Sequence, residues 1–407
     1  MRAGYGKWEL TPPMGVELAG YGYYLSRCAQ SVRDPLYARA LMLEEGGMRA
    51  LIICCDLLGL SREVCAGVFE YAKKQGVPEE HVLIVSIHTH TGPTIKYHVG
   101  CGFVNDDYVA TVAPAICRAI DEAASDMDDV TALQYICEAF EGDHIYNRTI
   151  KDGPVDRFVR GFFLTRSEKP EIAAVSAACH GVFRGRVTAV SADFAGEVCR
   201  RLDAQGMRSI YLNGLCGDID PTKQDDALLN SFAELVVSRC SKAKKTLPLT
   251  LDGGKFPFTL QLTPVKIEDI HAAAAQAVSR AGGAEEPAAR VALTWEKEMM
   301  EKFSRLNMQE DIVVKYLLVG GVPVMALPFE GFTQIGMDIR SISGREDALI
   351  LGCAEELLGY LPTKDDISRG TYAALESTFL YKRLPVVPGE AERLGEEMGR
   401  ALERVLS

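Results

Sequence analysis

Along most of this chain, short apolar runs suited to buried strands alternate with stretches of helical periodicity. Residues 49–55 and 82–87 are dominated by apolar side chains, and 61–75 between them has helical spacing, with Ser61 as its cap. Further strands are predicted at 131–138, 158–165, 172–178, 208–212, 313–318 and 322–327. Helices are predicted at 107–125, 190–204, 224–243, 266–280, 286–306 and 387–405. This alternation predicts an α/β fold, a mixed central β-sheet flanked by helices. The 407 residues suffice for one large domain or two of typical size. The turn-rich stretches at 246–256 and 281–287 are too short to read as interdomain linkers. The expectation is a single domain over 1–407, with an excursion from the main sheet at 255–310.

Charge narrows the function classes. With 44 basic and 56 acidic side chains, the net charge of −12 disfavours nucleic acid and anionic lipid as partners. No apolar run is long enough to span a bilayer, and the N-terminal residues lack the apolar core of a secretory signal. None of the twelve cysteines forms a C-x-x-C pair, which predicts free, mostly buried thiols in a reducing compartment. The expectation is a cytoplasmic protein acting on a small molecule, with no nucleic-acid partner and no stable membrane insertion. The amphipathic segment 387–405 packs either on its own domain or on a partner, which leaves homo-oligomerisation open.

The chemistry concentrates where apolar runs end. Ser86-Ile87-His88-Thr89-His90-Thr91-Gly92-Pro93 closes one such run, and strand alternation puts His88 and His90 on one face. Two imidazoles on one face suit a metal or a local hydrogen-bonding role. His180 ends the run 172–178, and Glu330 follows the run 322–329 just before a predicted helix. Catalytic zinc commonly takes three protein ligands, often with a carboxylate among them, and His88, His180 and Glu330 answer that description. In Gly217-Asp218-Ile219-Asp220-Pro221 a tight turn projects two carboxylates, fit for a metal, for proton transfer or for bonding their own backbone. Cys216 carries no Cys-His signature around it and is not read as a nucleophile.

Taken in order, these segments resemble the catalytic domain of the neutral/alkaline (non-lysosomal) ceramidase family. The resemblance runs through Leu10-Thr11-Pro12-Pro13, Asp34-Pro35-Leu36-Tyr37-Ala38-Arg39-Ala40 and Cys55-Asp56-Leu57 to His88-Thr89-His90-Thr91-Gly92-Pro93. It continues through Asn147-Arg148, His180-Gly181, Ser191-Ala192-Asp193-Phe194-Ala195-Gly196, Gly217-Asp218-Ile219-Asp220-Pro221 and Pro328-Phe329-Glu330-Gly331. The resemblance implies a zinc-dependent amide hydrolase with one Zn²⁺ per chain, held by His88, His180, Glu330 and a tyrosine. Tyr372 is the first choice for that tyrosine, with Tyr360 and Tyr381 as alternatives. His90 and Arg148 match residues that the family places near the metal.

Three departures bear on the substrate. Asp220 stands where the family has its active-site serine, the chain is too short for the family's C-terminal immunoglobulin-like domain, and a secretion signal is absent. The expected reaction is therefore hydrolysis of a linear amide (N-acyl) bond by metal-activated water, on a substrate other than membrane ceramide. Asp220 or His90 is expected to carry the proton, and Arg148 to hold an anionic group or the developing oxyanion. Asp218, from the same turn as Asp220, is placed with the catalytic residues, and it and Asp193 are expected to orient ligands from behind. The alternatives are metal-dependent hydrolysis of an ester or of a sugar- or cell-wall-derived substrate, and a non-catalytic binding protein. Mn²⁺ and Fe²⁺ suit the same ligand types as Zn²⁺.

Overall fold

The computed structural model describes residues 1–23 and 25–407. Its main sheet has nine strands among the described residues. Eight follow one another in the order Arg208–Asn213, Ile172–Ala177, Phe158–Arg166, Asp128–Ala139, Arg2–Glu9, Tyr37–Glu45, Met48–Cys55, Val82–Ser86. The ninth, Lys245–Leu247, pairs with Asp128–Ala139. Interior neighbours run antiparallel, but both ends of the sheet are parallel pairs. A parallel pair needs a crossover, and the helices Arg62–Lys74 and Asp193–Asp203 supply the two. The first starts where Ser61 accepts a hydrogen bond from the Val64 amide at 3.3 Å. Ile172–Ala177 is buried at every residue, which is why it reads as an apolar run broken only by Ser176. The fold class is as the sequence predicts, α/β with a mixed sheet flanked by helices.

The sheet curls until its two ends meet. Thr89 pairs with Gly181 in a parallel bridge, and the His90 amide donates to the Gly181 carbonyl at 3.0 Å. Asn213 Nδ2 donates to the Ile87 carbonyl at 3.2 Å and to the Cys179 carbonyl at 3.1 Å. Segments almost a hundred residues apart therefore leave their strands side by side, each carrying a histidine.

A second sheet, Leu251–Gln261, Gln309–Val319, Val322–Ala326 and Leu349–Leu351, carries its own apolar core. The excursion expected at 255–310 is a long hairpin: Leu251 pairs with Val319 and Gln261 with Gln309, and the helices Ile267–Ala281 and Pro287–Lys302 cap its tip. The turn-like 246–256 stretch thus runs into a strand, whose Gly and Pro residues are tolerated because it is an edge. The helix Glu390–Leu406 lays Leu394, Met398 and Leu402 against Ile335 and Ile339 of Thr333–Ser343 in the same chain, so its apolar stripe is covered from within. All twelve cysteines are free and nine are buried. Among the described residues no helix is long and apolar enough to cross a membrane.

Candidate metal centre

Each putting a histidine just past a strand end, the two meeting edges build the site. His88 follows Val82–Ser86 and takes a left-handed φ of 62°, a conformation uncommon outside glycine and characteristic of functional positions. Its Nδ1–H donates to the Leu58 carbonyl at 2.8 Å, and its Nε2 lies 3.1 Å from Glu330 Oε2. His180 repeats the arrangement: Nδ1–H donates to the Cys216 carbonyl at 2.6 Å, and Nε2 lies 3.1 Å from the same Glu330 oxygen. A carbonyl only accepts, so both rings carry a proton on Nδ1 and turn Nε2 toward one carboxylate oxygen. Three electron-rich atoms converge, an arrangement that a cation among them, proton or metal, stabilises.

The electrostatics say the same. Burial pushes the His88 imidazole down, but the Glu330 carboxylate more than offsets it and holds the group at about 9. Burial raises Glu330, and His88 with His180 more than offsets that, holding it well below the carboxylate range. His90 is held well below the ordinary range by burial and by its two histidine neighbours, so it is neutral. Both of its ring nitrogens are buried without a hydrogen-bond partner among the described residues. The rings of His88, His90 and His180 offer donor atoms within 4.8 Å of one another. Imidazole nitrogens plus a carboxylate, with the unpartnered nitrogens of His90 in the same cluster, fit zinc.

Tight backbone approaches hold these segments in register. A Cβ on Gly181 would lie 2.7 Å from the His88 carbonyl oxygen, and one on Gly217 would lie 2.3 Å from that of Glu330. Glu330–Gly331 pairs with Tyr360–Leu361, which sets Tyr360 directly beside Glu330. The Tyr360 hydroxyl lies 3.4 Å from His180 Nε2 and accepts from Arg148 Nη2 at 2.9 Å. The Tyr381 hydroxyl donates to Glu330 Oε1. Tyr372 sits farther out, its ring 5.9 Å from that of Tyr360. The two alternatives, Tyr360 and Tyr381, are thus the tyrosines whose hydroxyls reach the histidine–glutamate cluster.

The carboxylates of the 217–221 turn face elsewhere. Asp218 is buried and spends its oxygens on the Thr333 amide and hydroxyl and on Asn147 Nδ2, each at 2.8 Å, which ties this turn to the Glu330 segment. Asp220 pairs with Arg148 at 3.4 Å and lies 3.9 Å from His180 Nδ1, on the side away from Nε2. Asp193 accepts from the amides of Phe183, Arg184 and Phe194 and so pins the turn after His180.

The cavity in front of the cluster is lined by His88, His90, His98, Glu330, Tyr360, Tyr372 and Tyr381, with a volume of about 20 Å³. That is room for one small polar group. His98 was not singled out in the sequence: it lies in the loop 94–103, where no periodicity marks a buried position.

Among solved structures, this chain is similar to the neutral ceramidase from Pseudomonas aeruginosa, with a TM-score of 0.76 at 15% identity, over 100% of this chain and 74% of that one. A ceramidase complexed with C2 gives a TM-score of 0.74 at 15% identity, over 99% of this chain and 75% of that one. The fold is ceramidase-like. No family model and no curated protein sequence matches the chain.

Several segments that carry the sequence resemblance brace the ceramidase-like fold. Asp34 accepts from the Ser191 hydroxyl at 2.8 Å and the Ala192 amide at 2.6 Å. Thr89 and Thr91 donate to the Ser191 carbonyl at 2.7 and 2.9 Å, which fixes the stretch that bears His88 and His90. Arg39 and Asp56 form a buried ion pair at 2.6 Å under the same loops.

Proposed function

We propose that this chain is a zinc-dependent hydrolase that cleaves a linear amide (N-acyl) bond in a substrate other than membrane ceramide. The observation that carries the reading is the convergence of His88 Nε2 and His180 Nε2 on one Glu330 oxygen, with both outer nitrogens fixed by carbonyls. The ceramidase-like fold supports hydrolysis as the reaction class. His88, His180 and Glu330 hold the metal, and Tyr360, rather than Tyr372, supplies the phenol beside them. Zinc bound there supplies a Lewis acid that acidifies water and polarises a carbonyl.

The remaining roles belong to the chain's own groups. Of the two expected proton carriers, His90 lines the cavity, whereas Asp220 sits behind His180 and steadies Arg148. His90, neutral and with both nitrogens unengaged, takes a proton from the attacking water and returns it to the leaving nitrogen. Arg148 holds the Tyr360 hydroxyl toward the developing oxyanion. Asp218 and Asp193 keep the turns that carry these groups in place.

Elemental analysis of the purified protein beside His180→Ala tests this reading. About one zinc per chain in the wild type, lost in the variant, is the expected result. Matched amide and ester panels on the zinc-loaded protein should then show turnover of amides. A fully active, zinc-free His180→Ala protein would falsify the assignment.

A further inference from the structure

His98 is 6% exposed, and its Nε2 is buried with no hydrogen-bond partner among the described residues. Its ring packs on Tyr381 at 4.5 Å between centroids, tilted by 55°. It lines the same small cavity as His88, His90 and Glu330, yet it comes from a different loop and carries no ligand role in the reading above. An unmet buried nitrogen is costly, and a phenylalanine would pack on Tyr381 without that cost. The nitrogen therefore has a use that packing does not supply. Burial, and after it Lys96, holds this imidazole at about 3, so it is neutral and offers hydrogen bonds rather than charge.

We propose that His98 Nε2 is a substrate-contacting group that hydrogen-bonds the scissile amide at the cavity it shares with His88 and Glu330. An amide brings both an N–H and a carbonyl, and the neutral ring meets one of them with its unpartnered Nε2. This inference rests on the amide-hydrolase reading, and its test separates the two.

The experiment uses the zinc-loaded full chain and acetohydroxamate, a metal-binding amide mimic, titrated by calorimetry. His98→Phe keeps the ring on Tyr381 and removes the nitrogen, and His98→Gln restores a hydrogen-bonding group. The expected result is unchanged zinc content in all three proteins. Acetohydroxamate should bind about tenfold more weakly to His98→Phe and within about threefold of wild type to His98→Gln. Should His98→Phe fail to fold, His98→Met takes its place under the same criterion. Equal hydroxamate affinity in the zinc-loaded Phe or Met variant overturns the contact while leaving the hydrolase reading intact. Loss of zinc from that variant also overturns it, because His98 would then serve the metal. A wild type that binds no zinc overturns both.

Discussion

Two cavities lie on either side of the loop 94–103, and they are built on opposite principles. The cavity before the histidine–glutamate cluster, about 20 Å³, is walled by histidines, a glutamate and tyrosines, and of its histidines His88 sits just past a strand end and leans on a backbone carbonyl. Its neighbour, about 530 Å³, is lined by Tyr23, Leu25, Tyr97, Val99, Phe103 and Val291, from loops and from the helix Pro287–Lys302. Between them stands an apolar wall of Val99, Cys101, Val291 and Leu380. In the first, His88, His180 and Glu330 hold one another, and exchanging one of these groups changes the charge balance of the others. In the second, Phe103 is 60% exposed and Leu25 50%, so a side chain can change without a partner being stranded. The contrast teaches where this molecule is intolerant: at mutually held buried polar groups, and not at the exposed side chains of its connections.

The comparison breaks most readily at Glu330. Glu330→Gln keeps the shape but removes the charge on which His88 and His180 converge. Zinc retention against a chelator should fall by at least the roughly 10–100-fold that even an outer partner of a ligand is worth. Retention as tight as wild type would mean that the carboxylate is structural. A smaller, graded effect follows from protonation. Without metal, His88 is held at about 9 and is protonated at neutral pH, so zinc must displace that proton. Apparent zinc affinity should therefore rise about tenfold per pH unit up to that value and flatten above it. A flat profile between pH 6 and 8 in a chelator-competition titration would contradict the proton-bound resting state. The smallest effect belongs to the other cavity. Phe103→Ser should leave zinc content unchanged and shift thermal stability by no more than about 0.5 kcal/mol, measured by denaturant unfolding. Zinc loss in that variant would erase the distinction between the two regions.

The sequence made one half of the site legible and hid the other. His88, His180 and Glu330 each end an apolar run, and a strand end is where an α/β sheet gathers function. The alternation argument for His88 and His90 reached the right neighbourhood by an inexact route. The strand stops at Ser86 and His88 takes a left-handed turn, yet both rings still line one cavity. His98 was hidden, and Tyr360 stood only as an alternative to Tyr372, because their placement depends on pairings between distant segments: Tyr360 beside Glu330, and the loop 94–103 against Tyr381. Composition also concealed the strand Arg2–Glu9. Its Gly6 reads as a breaker, but a Cβ there would lie 1.9 Å from the Ala119 carbonyl oxygen of the helix Asp106–Ser125. Helix-on-sheet packing leaves no room there for any other residue.

X-ray absorption at the zinc edge of the loaded protein addresses the convergence of His88, His180 and Glu330 most directly. The account predicts two imidazole nitrogens and oxygen donors at about 2.0–2.2 Å, with no sulfur. A zinc–sulfur shell at about 2.3 Å would place the metal on the buried thiols instead and contradict it.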